Sequence, residues 1–298
     1  MINVMILSSF KTLLAVAHRI VGRFIYYCWY APVGFILFSR WEKPEVETLE
    51  ETMHRLVDEN ASICRYGDGE FSVAVGADIC FQKSSALLSE RLNDILRSDN
   101  DNILIAIPDV FGDLRKFNDF TNYYWTEYLY RNIRVLKSLL SSHRKYSNSF
   151  ITRFSTDYRG DMTNILIPFY RQLFKDRLVY IVEGNQTRIG VGNDLLSGVA
   201  AIYRILAPAE NAFFYYDDIL QSCKRVIPKD ALVVIALGPT ATVLAYDLAK
   251  IGYHALDLGH FGEQYECHIH GSDTRKSISG SADNEAILKE QILYEIIG

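Results

Sequence analysis

From Pro44 onward, short unbroken apolar runs alternate with longer stretches in which apolar residues return every three or four positions. Runs of the first kind suit strands buried on both faces. They predict strands at Ser62–Tyr66, Asn102–Pro108, Ser149–Arg153, Arg177–Val182, Ala201–Leu206, Ala231–Leu237 and Tyr253–Leu258. The second kind predicts helices at Pro44–Glu59, Ser84–Ser98, Phe120–Leu140, Met162–Phe174, Asp217–Val226, Thr240–Ile251 and Glu285–Ile297. In the first of these, Pro44 stands at the start, acids at positions 45, 47, 50 and 51 fill the early turns, and Val46, Leu49, Met53 and Leu56 form the apolar stripe. Strands alternating with helices at this spacing imply an α/β fold with a mostly parallel sheet covered by helices on both faces. No internal repeat and no long linker interrupts the series, so residues 43–298 read as one domain.

The first 42 residues follow a different pattern and read as a separate N-terminal helical arm, apolar and basic. Up to Arg40 there is no acidic side chain, and Lys11, Arg19, Arg23 and Arg40 carry the charge. Ile6, Phe10, Leu13, Leu14, Ala17, Ile20, Val21 and Phe24 recur at helical spacing, with polar and basic residues opposite. The uncharged run from Phe24 to Phe38 is shorter than the ~20 residues of a membrane span, and Pro32 and Gly34 weaken it as a helix. Basic residues follow the first apolar stretch instead of preceding it, which argues against a secretory signal. Two readings stand for residues 1–40. One is a helix lying in the membrane interface, peripheral to a cytoplasmic protein. The other is an arm packed on the rest of the chain, or on a second copy in a homo-oligomer.

Composition narrows the class. The chain has 298 residues, is 49% hydrophobic and carries a formal net charge of −5. That is a globular domain with a sizeable core and without the basic face of a general nucleic-acid binder. Its five cysteines are scattered with no C-x-x-C pair, which fits reduced thiols in the cytoplasm. Cys267, His268 and His270 are too close together to close a tetrahedral metal site without further ligands and read as ordinary loop residues.

Ligands of open parallel sheets sit beyond the carboxyl ends of the strands, and four such loops carry candidate chemistry. The first is Arg65-Tyr66-Gly67-Asp68-Gly69-Glu70-Phe71. If that segment is extended, Asp68 and Glu70 point the same way and can share a hard divalent cation, with Gly67 and Gly69 leaving room for a bulky ligand. The alternative is a plain Asp-Gly turn. The second is Gly184-Asn185 through Gly190, Gly192, Asn193 and Asp194, with Arg188 inside it. Its glycines would bring backbone N–H groups to a phosphate, Arg188 would pair with that phosphate, and a helix starting near Asn193 would add its positive end. A structural turn explains it equally. The third is Gly238-Pro239-Thr240, where a strand gives way to a helix whose free N–H groups suit an anion; Thr240 as an ordinary cap is the alternative. The fourth holds His260, a metal ligand, a base or a structural hydrogen-bonding group. Arg65 and Arg153 are further candidates for phosphate contacts or for structural ion pairs.

Taken in order, Arg65–Phe71, the Glu183–Leu195 segment, and Gly238–Leu248 with Asp257-Leu258-Gly259-His260 resemble the bacterial GT-D-type glycosyltransferases, over about residues 45–267. The resemblance implies a Rossmann-like fold, a nucleotide-sugar donor and Mn²⁺ or Mg²⁺ held through an Asp-x-Glu motif that falls on Asp68 and Glu70. It also implies a glycoprotein or cell-surface polysaccharide acceptor. One departure is that Gly262 stands where an acidic residue is expected two positions after the histidine, with Glu263 next. The expectation is a metal-dependent transferase using a UDP-sugar, with the metal and Arg188 stabilising the departing diphosphate. A non-catalytic nucleotide-binding subunit of a surface-glycan assembly and another Rossmann-like transferase, such as one using S-adenosylmethionine, are the alternatives. The Ser/Gly/Asp-rich segment 271–284 reads as a lid or a surface loop.

Overall fold

The computed structural model describes Cys28, residues 31–270 and Tyr294–Ile296. The remainder of the basic amphipathic arm and the 271–284 segment lie outside the described residues.

Chain order begins with helix α1 (Ala31–Ser39), strand β1 (Glu45–Val46), α2 (Leu49–Val57), β2 (Ser62–Arg65), α3 (Asp68–Ala74), α4 (Ala86–Arg97) and β3 (Ile103–Ile107). It continues with α5 (Asp119–Leu139), β4 (Lys145–Asn148), α6 (Thr163–Phe174), β5 (Leu178–Gly184), β6 (Ala201–Ala207) and α7 (Tyr216–Val226). The last elements are β7 (Leu232–Ala236), α8 (Pro239–Lys250), β8 (His254–Asp257), α9 (Phe261–His270) and β9 (Tyr294–Ile296). Among the described residues the strands form one sheet in the order β1-β4-β3-β2-β8-β7-β5-β6-β9, and every pairing in it is parallel. Helices cover both faces, as the alternating pattern implies. β3 and β7 are buried along their whole length, which is why their sequences read as unbroken apolar runs. α8 packs on β2, β8 and β7 and is flanked by α4 and α7, while α2 packs on β4 and α6.

Several boundaries differ from the sequence reading, each for a local reason. The predicted helix at Pro44 is instead an edge strand, because Glu45 and Val46 pair with Lys145 and Tyr146. The helix starts later, at a reciprocal capping box. There the Glu51 N–H donates to Thr48 Oγ1 at 3.1 Å and the Thr48 N–H donates to the Glu51 carboxylate at 2.8 Å. The strand expected at Ser149–Arg153 lies earlier, and Ser149–Thr152 is a tight 3₁₀ turn capped by Asn148. Tyr294–Ile296, expected within a helix, is a strand hydrogen-bonded to β6. α1 forms despite Pro32 and Gly34. Pro32 occupies the first turn, where its missing N–H costs nothing. Gly34 lets α1 lie against α5, since a Cβ there would fall 2.4 Å from Tyr130 Cβ. Phe35 and Phe38 also meet the Tyr130 ring edge-on. This end of the arm is therefore packed on protein, although Phe35 and Ile36 remain exposed. No helix among the described residues is long and apolar enough to cross a membrane.

Candidate active site

β2 and β8 lie side by side where the strand order reverses: from β2 the chain builds outward through β3 and β4, and β8, β7 and β5 stand on the other side. Such a reversal leaves a crevice beyond the strand ends. Its floor is a buried ion pair. The Arg65 guanidinium donates to Asp257 Oδ1 at 3.1 Å and to Thr152 Oγ1, and its Nε donates to the Asp257 carbonyl. Asp257 Oδ2 also accepts from the Arg65 N–H at 3.2 Å and from Thr242 Oγ1 at 3.2 Å. Burial pushes the Asp257 pKa up while Arg65 pulls against it. Arg65 is thus spent in joining β2, β8 and the turn after β4, and of its two sequence readings the structural ion pair holds. Gly259 is required beside it, because it has φ +29° and a Cβ there would lie 2.3 Å from an Arg65 terminal nitrogen.

Asp68 and Glu70 do not sit on an extended segment. They occupy the first turn of α3, where residues two apart diverge by about 200° around the axis. Glu70 turns back, and its carboxylate accepts the Gly67 N–H at 2.8 Å. Gly67 is the residue before the helix, and a Cβ there would crowd that same carboxylate at 3.2 Å. Burial, with the Asp257 charge adding to it, pushes the Glu70 pKa up to about 7 against the backbone hydrogen bonds and Arg65. The shared grip expected of the two carboxylates is therefore replaced by a division: Glu70 caps the turn, and Asp68 faces outward. The Tyr124 hydroxyl of α5 donates to the Asp68 carboxylate, and the Tyr128 hydroxyl donates to the Asp68 carbonyl at 3.4 Å. Both phenol pKa values are pushed up, first by burial and then by the Asp68 charge. Gly69 faces the other wall, where a Cβ would sit 3.5 Å from the Ile79 side chain.

Arg153 follows the turn after β4 and is half-buried. Its charge is felt at both the Tyr124 hydroxyl and the His260 imidazole, so both groups are within its electrostatic reach. Among the described residues it has no ion-pair partner. His260 reaches solvent. The surrounding protein, then Arg153 and Arg65, push its pKa down. Its accessibility keeps that displacement smaller than full enclosure would give, and the ring is neutral at physiological pH. Asp68, Arg153 and His260 follow the carboxyl ends of β2, β4 and β8, on one edge of the parallel sheet.

The glycine-rich loop is held from below by a second buried pair. Glu183, at the end of β5, contacts Arg204 of β6 and accepts the Ile189 N–H at 3.0 Å, while Arg204 donates to the Ile189 carbonyl at 2.7 Å. Gly184 is buried with Ala209 Cα 3.0 Å from where a Cβ would be, and Gly190 (φ +72°) lies against Leu196. Asn185 and Arg188 are exposed. No helix begins at Asn193, and the chain there is a series of turns. Asn193 bonds Glu266, and Asp194 accepts the Tyr265 hydroxyl at 2.6 Å. These two residues, expected near the donor, dock the loop on α9. Cys267, His268 and His270 lie on that helix, not in a loop, with Cys267 buried and His270 beside Glu266. Among the described residues no group of three or more His, Cys, Asp and Glu side chains is arranged to hold a metal.

At the third loop, Gly238 precedes α8 with φ +55°. Pro239 and Thr240 are buried, and Thr240 Oγ1 donates to Gln82 Oε1 at 3.3 Å, which makes it neither a cap nor a free donor to a ligand. Sequence reasoning missed Tyr124, Asp257 and the Glu183–Arg204 pair as organisers of the crevice. Asp257 stood two residues before Gly259 at a strand end, a signal that was readable. Tyr124 was hidden among the many aromatics of α5.

The family model described as "Glycosyltransferase GT-D fold" matches residues 63–286. The chain belongs to the GT-D-fold glycosyltransferase family. Its β2–β8 crevice, Asp68 turn and glycine-rich loop all fall within the matched region. One solved structure, described as "The highly conserved domain of unknown function 1792 has a distinct glycosyltransferase fold", superposes with a TM-score of 0.80 at 29% identity, covering 88% of this chain and 99% of that one. Another, "A New Glycosyltransferase (DUF1792) from Streptococcus sanguinis", has a TM-score of 0.73 at 32% identity, covering 77% and 86%. Among curated proteins, the "Probable glycosyl transferase Gly" of Streptococcus gordonii is 32% identical over 251 residues, 84% of this chain and 36% of that protein. "Glycosyltransferase GlyD" of Streptococcus pneumoniae serotype 4 (strain ATCC BAA-334 / TIGR4) is 30% identical over 80% of this chain and 30% of its own length. The chain therefore spans about a third of the length of the curated relatives it matches.

Proposed function

We propose that this chain transfers a sugar from a UDP-sugar to a glycan or glycoprotein acceptor, with a divalent cation at the donor diphosphate. The observation that carries this reading is that Tyr124, which donates to the outward-facing Asp68 carboxylate, also lies within electrostatic reach of Arg153, a cation that has no ion-pair partner among the described residues. An anion-binding cleft needs uncommitted positive charge, and Arg65 and Arg204 are both committed elsewhere.

The residues fit a metal that arrives with its substrate better than a preformed cage. Mg²⁺ and Mn²⁺ at phosphate sites are commonly held by one or two carboxylates together with the phosphates themselves. Asp68 would be the protein ligand; Glu70, bonded to Gly67, would support it from within the turn. Bound there, the metal would neutralise charge on the leaving diphosphate. Arg153 would bind the diphosphate oxygens, and exposed Arg188 would approach from the glycine-rich loop. Neutral His260 can accept a proton at the same crevice or take a place on the metal. The acceptor would enter past Tyr124, whose hydrogen bond orients the Asp68 carboxylate.

The test is release of UDP from UDP-sugars by the purified chain with and without Mn²⁺. Asp68→Ala should abolish release while the melting temperature stays near that of the parent. Full activity in Asp68→Ala, or activity indifferent to chelation, would refute the metal reading. Binding of UDP without any turnover would favour a non-catalytic nucleotide-binding subunit.

A further inference from the structure

Phe81 is an exposed aromatic held with unusual firmness. The residue is 43% exposed, so burial in the core does not account for it. The turn that carries it is nevertheless fixed from several sides. Ile79 and Gln82 exchange backbone hydrogen bonds at 3.0 and 3.3 Å. Asn211 donates its N–H to the Phe81 carbonyl at 2.8 Å and accepts the Lys83 N–H on its side-chain oxygen, also at 2.8 Å. Asn211 does so from a left-handed backbone, φ +54°, which few residues adopt. The Gln82 side chain, buried beneath, accepts from Thr240 at 3.3 Å and from the Phe213 N–H at 3.4 Å. Gly238 makes the second concession. It too is left-handed, and a Cβ there would fall 2.4 Å from Phe81 Cε2 and 3.2 Å from Cδ2. One edge of the ring therefore rests on the backbone where α8 begins, at the carboxyl end of β7, and the rest faces solvent. Ile79 of the same turn meets Gly69 beside Asp68. A single short strap thus links the Asp68 turn to the ring above the next strand ends.

Two left-handed residues and a buried glutamine that together present a rigid ring to solvent are the features of a stacking platform, not of a core contact. We infer that Phe81 is the nucleobase subsite of the donor crevice: the planar base of a nucleoside diphosphate stacks on its open side, while its diphosphate reaches toward Asp68 and Arg153. This deepens the proposed donor binding and rests on it.

Isothermal titration with UDP and, separately, with inorganic pyrophosphate, both in Mn²⁺, tests the assignment. Stacking of one base on an aromatic ring corresponds to about a tenfold change in affinity or somewhat more. Phe81→Ala and Phe81→Leu should each weaken UDP by about tenfold and leave pyrophosphate unchanged, whereas Phe81→Tyr should retain parental affinity for both. The leucine variant keeps apolar contact with Gly238 and removes only the ring. Equal loss of UDP and pyrophosphate binding would overturn the inference by showing that Phe81 merely supports the strap. Unchanged UDP affinity would overturn it as well, and a simultaneous shift in sedimentation would mark the ring as a contact with a second copy. Failure of the parent protein to bind UDP at all would instead overturn the donor reading, a result separable from either of these.

Discussion

Removing Glu183 should be among the most damaging single changes in this protein, and worse than removing the arginine it pairs with. Both side chains are almost wholly enclosed, Arg204 at 4% and Glu183 at 1% side-chain exposure. Breaking a buried pair by deleting one partner costs roughly 3–5 kcal/mol, mostly because the survivor keeps an uncompensated charge. The two survivors are not equivalent. In Glu183→Ala, Arg204 cannot lose its proton and, among the described residues, keeps only its 2.7 Å bond to the Ile189 carbonyl, its Nε being already unsatisfied there. In Arg204→Met, Glu183 keeps the Ile189 N–H and can take up a proton, a change that burial already favours. Glu183→Ala should therefore cost about 3–5 kcal/mol and Arg204→Met about 1–2 kcal/mol less. The double variant Glu183→Leu/Arg204→Met should recover most of the loss, as apolar replacements of buried pairs commonly do. Urea unfolding followed by tryptophan fluorescence gives all three values, and adding Glu183→Leu alone closes the cycle that gives the coupling. The sign with pH follows. A carboxyl whose folded pKa is raised stabilises the fold in its neutral form, so Arg204→Met should lose stability as pH rises above the ordinary carboxylate range. A cost below ~1 kcal/mol for Glu183→Ala, or a larger one for Arg204→Met, would refute the reasoning.

Other expectations follow from the crevice. Gly259→Ala should destabilise by at least about 2 kcal/mol, through its left-handed backbone and the displaced Arg65, and thermal unfolding reads this directly; a neutral result would contradict the packing described. Glu70, with its pKa raised to about 7, contributes stability that is complete below the unfolded value near 4.5 and is lost as pH rises through about 7. Glu70→Gln should flatten that slope, and an unchanged pH–stability profile would show that Glu70 does not titrate there. Tyr124→Phe should leave stability within about 1 kcal/mol, because the ring is exposed. It should raise the Mn²⁺ concentration needed for half-maximal UDP release by about tenfold, since the lost hydrogen bond orients the carboxylate proposed to hold the metal; an unaltered metal requirement would count against Asp68.

How much of this was legible from residues alone depended on burial. Strands such as Ile103–Ile107 and Leu232–Ala236 are enclosed on both faces, so their apolar runs announced them. β1 is two residues long and exists through its pairing with β4, which no local pattern encodes. The Asp-x-Glu spacing was visible, but its geometry was misread. Gly67-x-x-Glu70 has the spacing of a capping arrangement, the same one that Thr48-x-x-Glu51 makes openly. A glycine in the capping position concealed it. Arg65 and Arg153 looked alike as lone basic residues. Only the pairing of β2 with β8 brings Asp257 to the first, and only the turn after β4 leaves the second without an ion-pair partner among the described residues. Asn193 and Asp194 matched the family pattern, yet their roles depend on Tyr265 and Glu266, some seventy residues away.

The proposed function rests on Asp68 and Arg153 together receiving a metal-bound diphosphate at the β2–β8 crevice. Anomalous diffraction from crystals grown with Mn²⁺ and UDP tests it most directly. The expected result is a manganese peak within coordinating distance of the Asp68 carboxylate, with diphosphate oxygens against the Arg153 guanidinium. Bound UDP with no metal at Asp68, or with Arg153 turned away from the diphosphate, would contradict it.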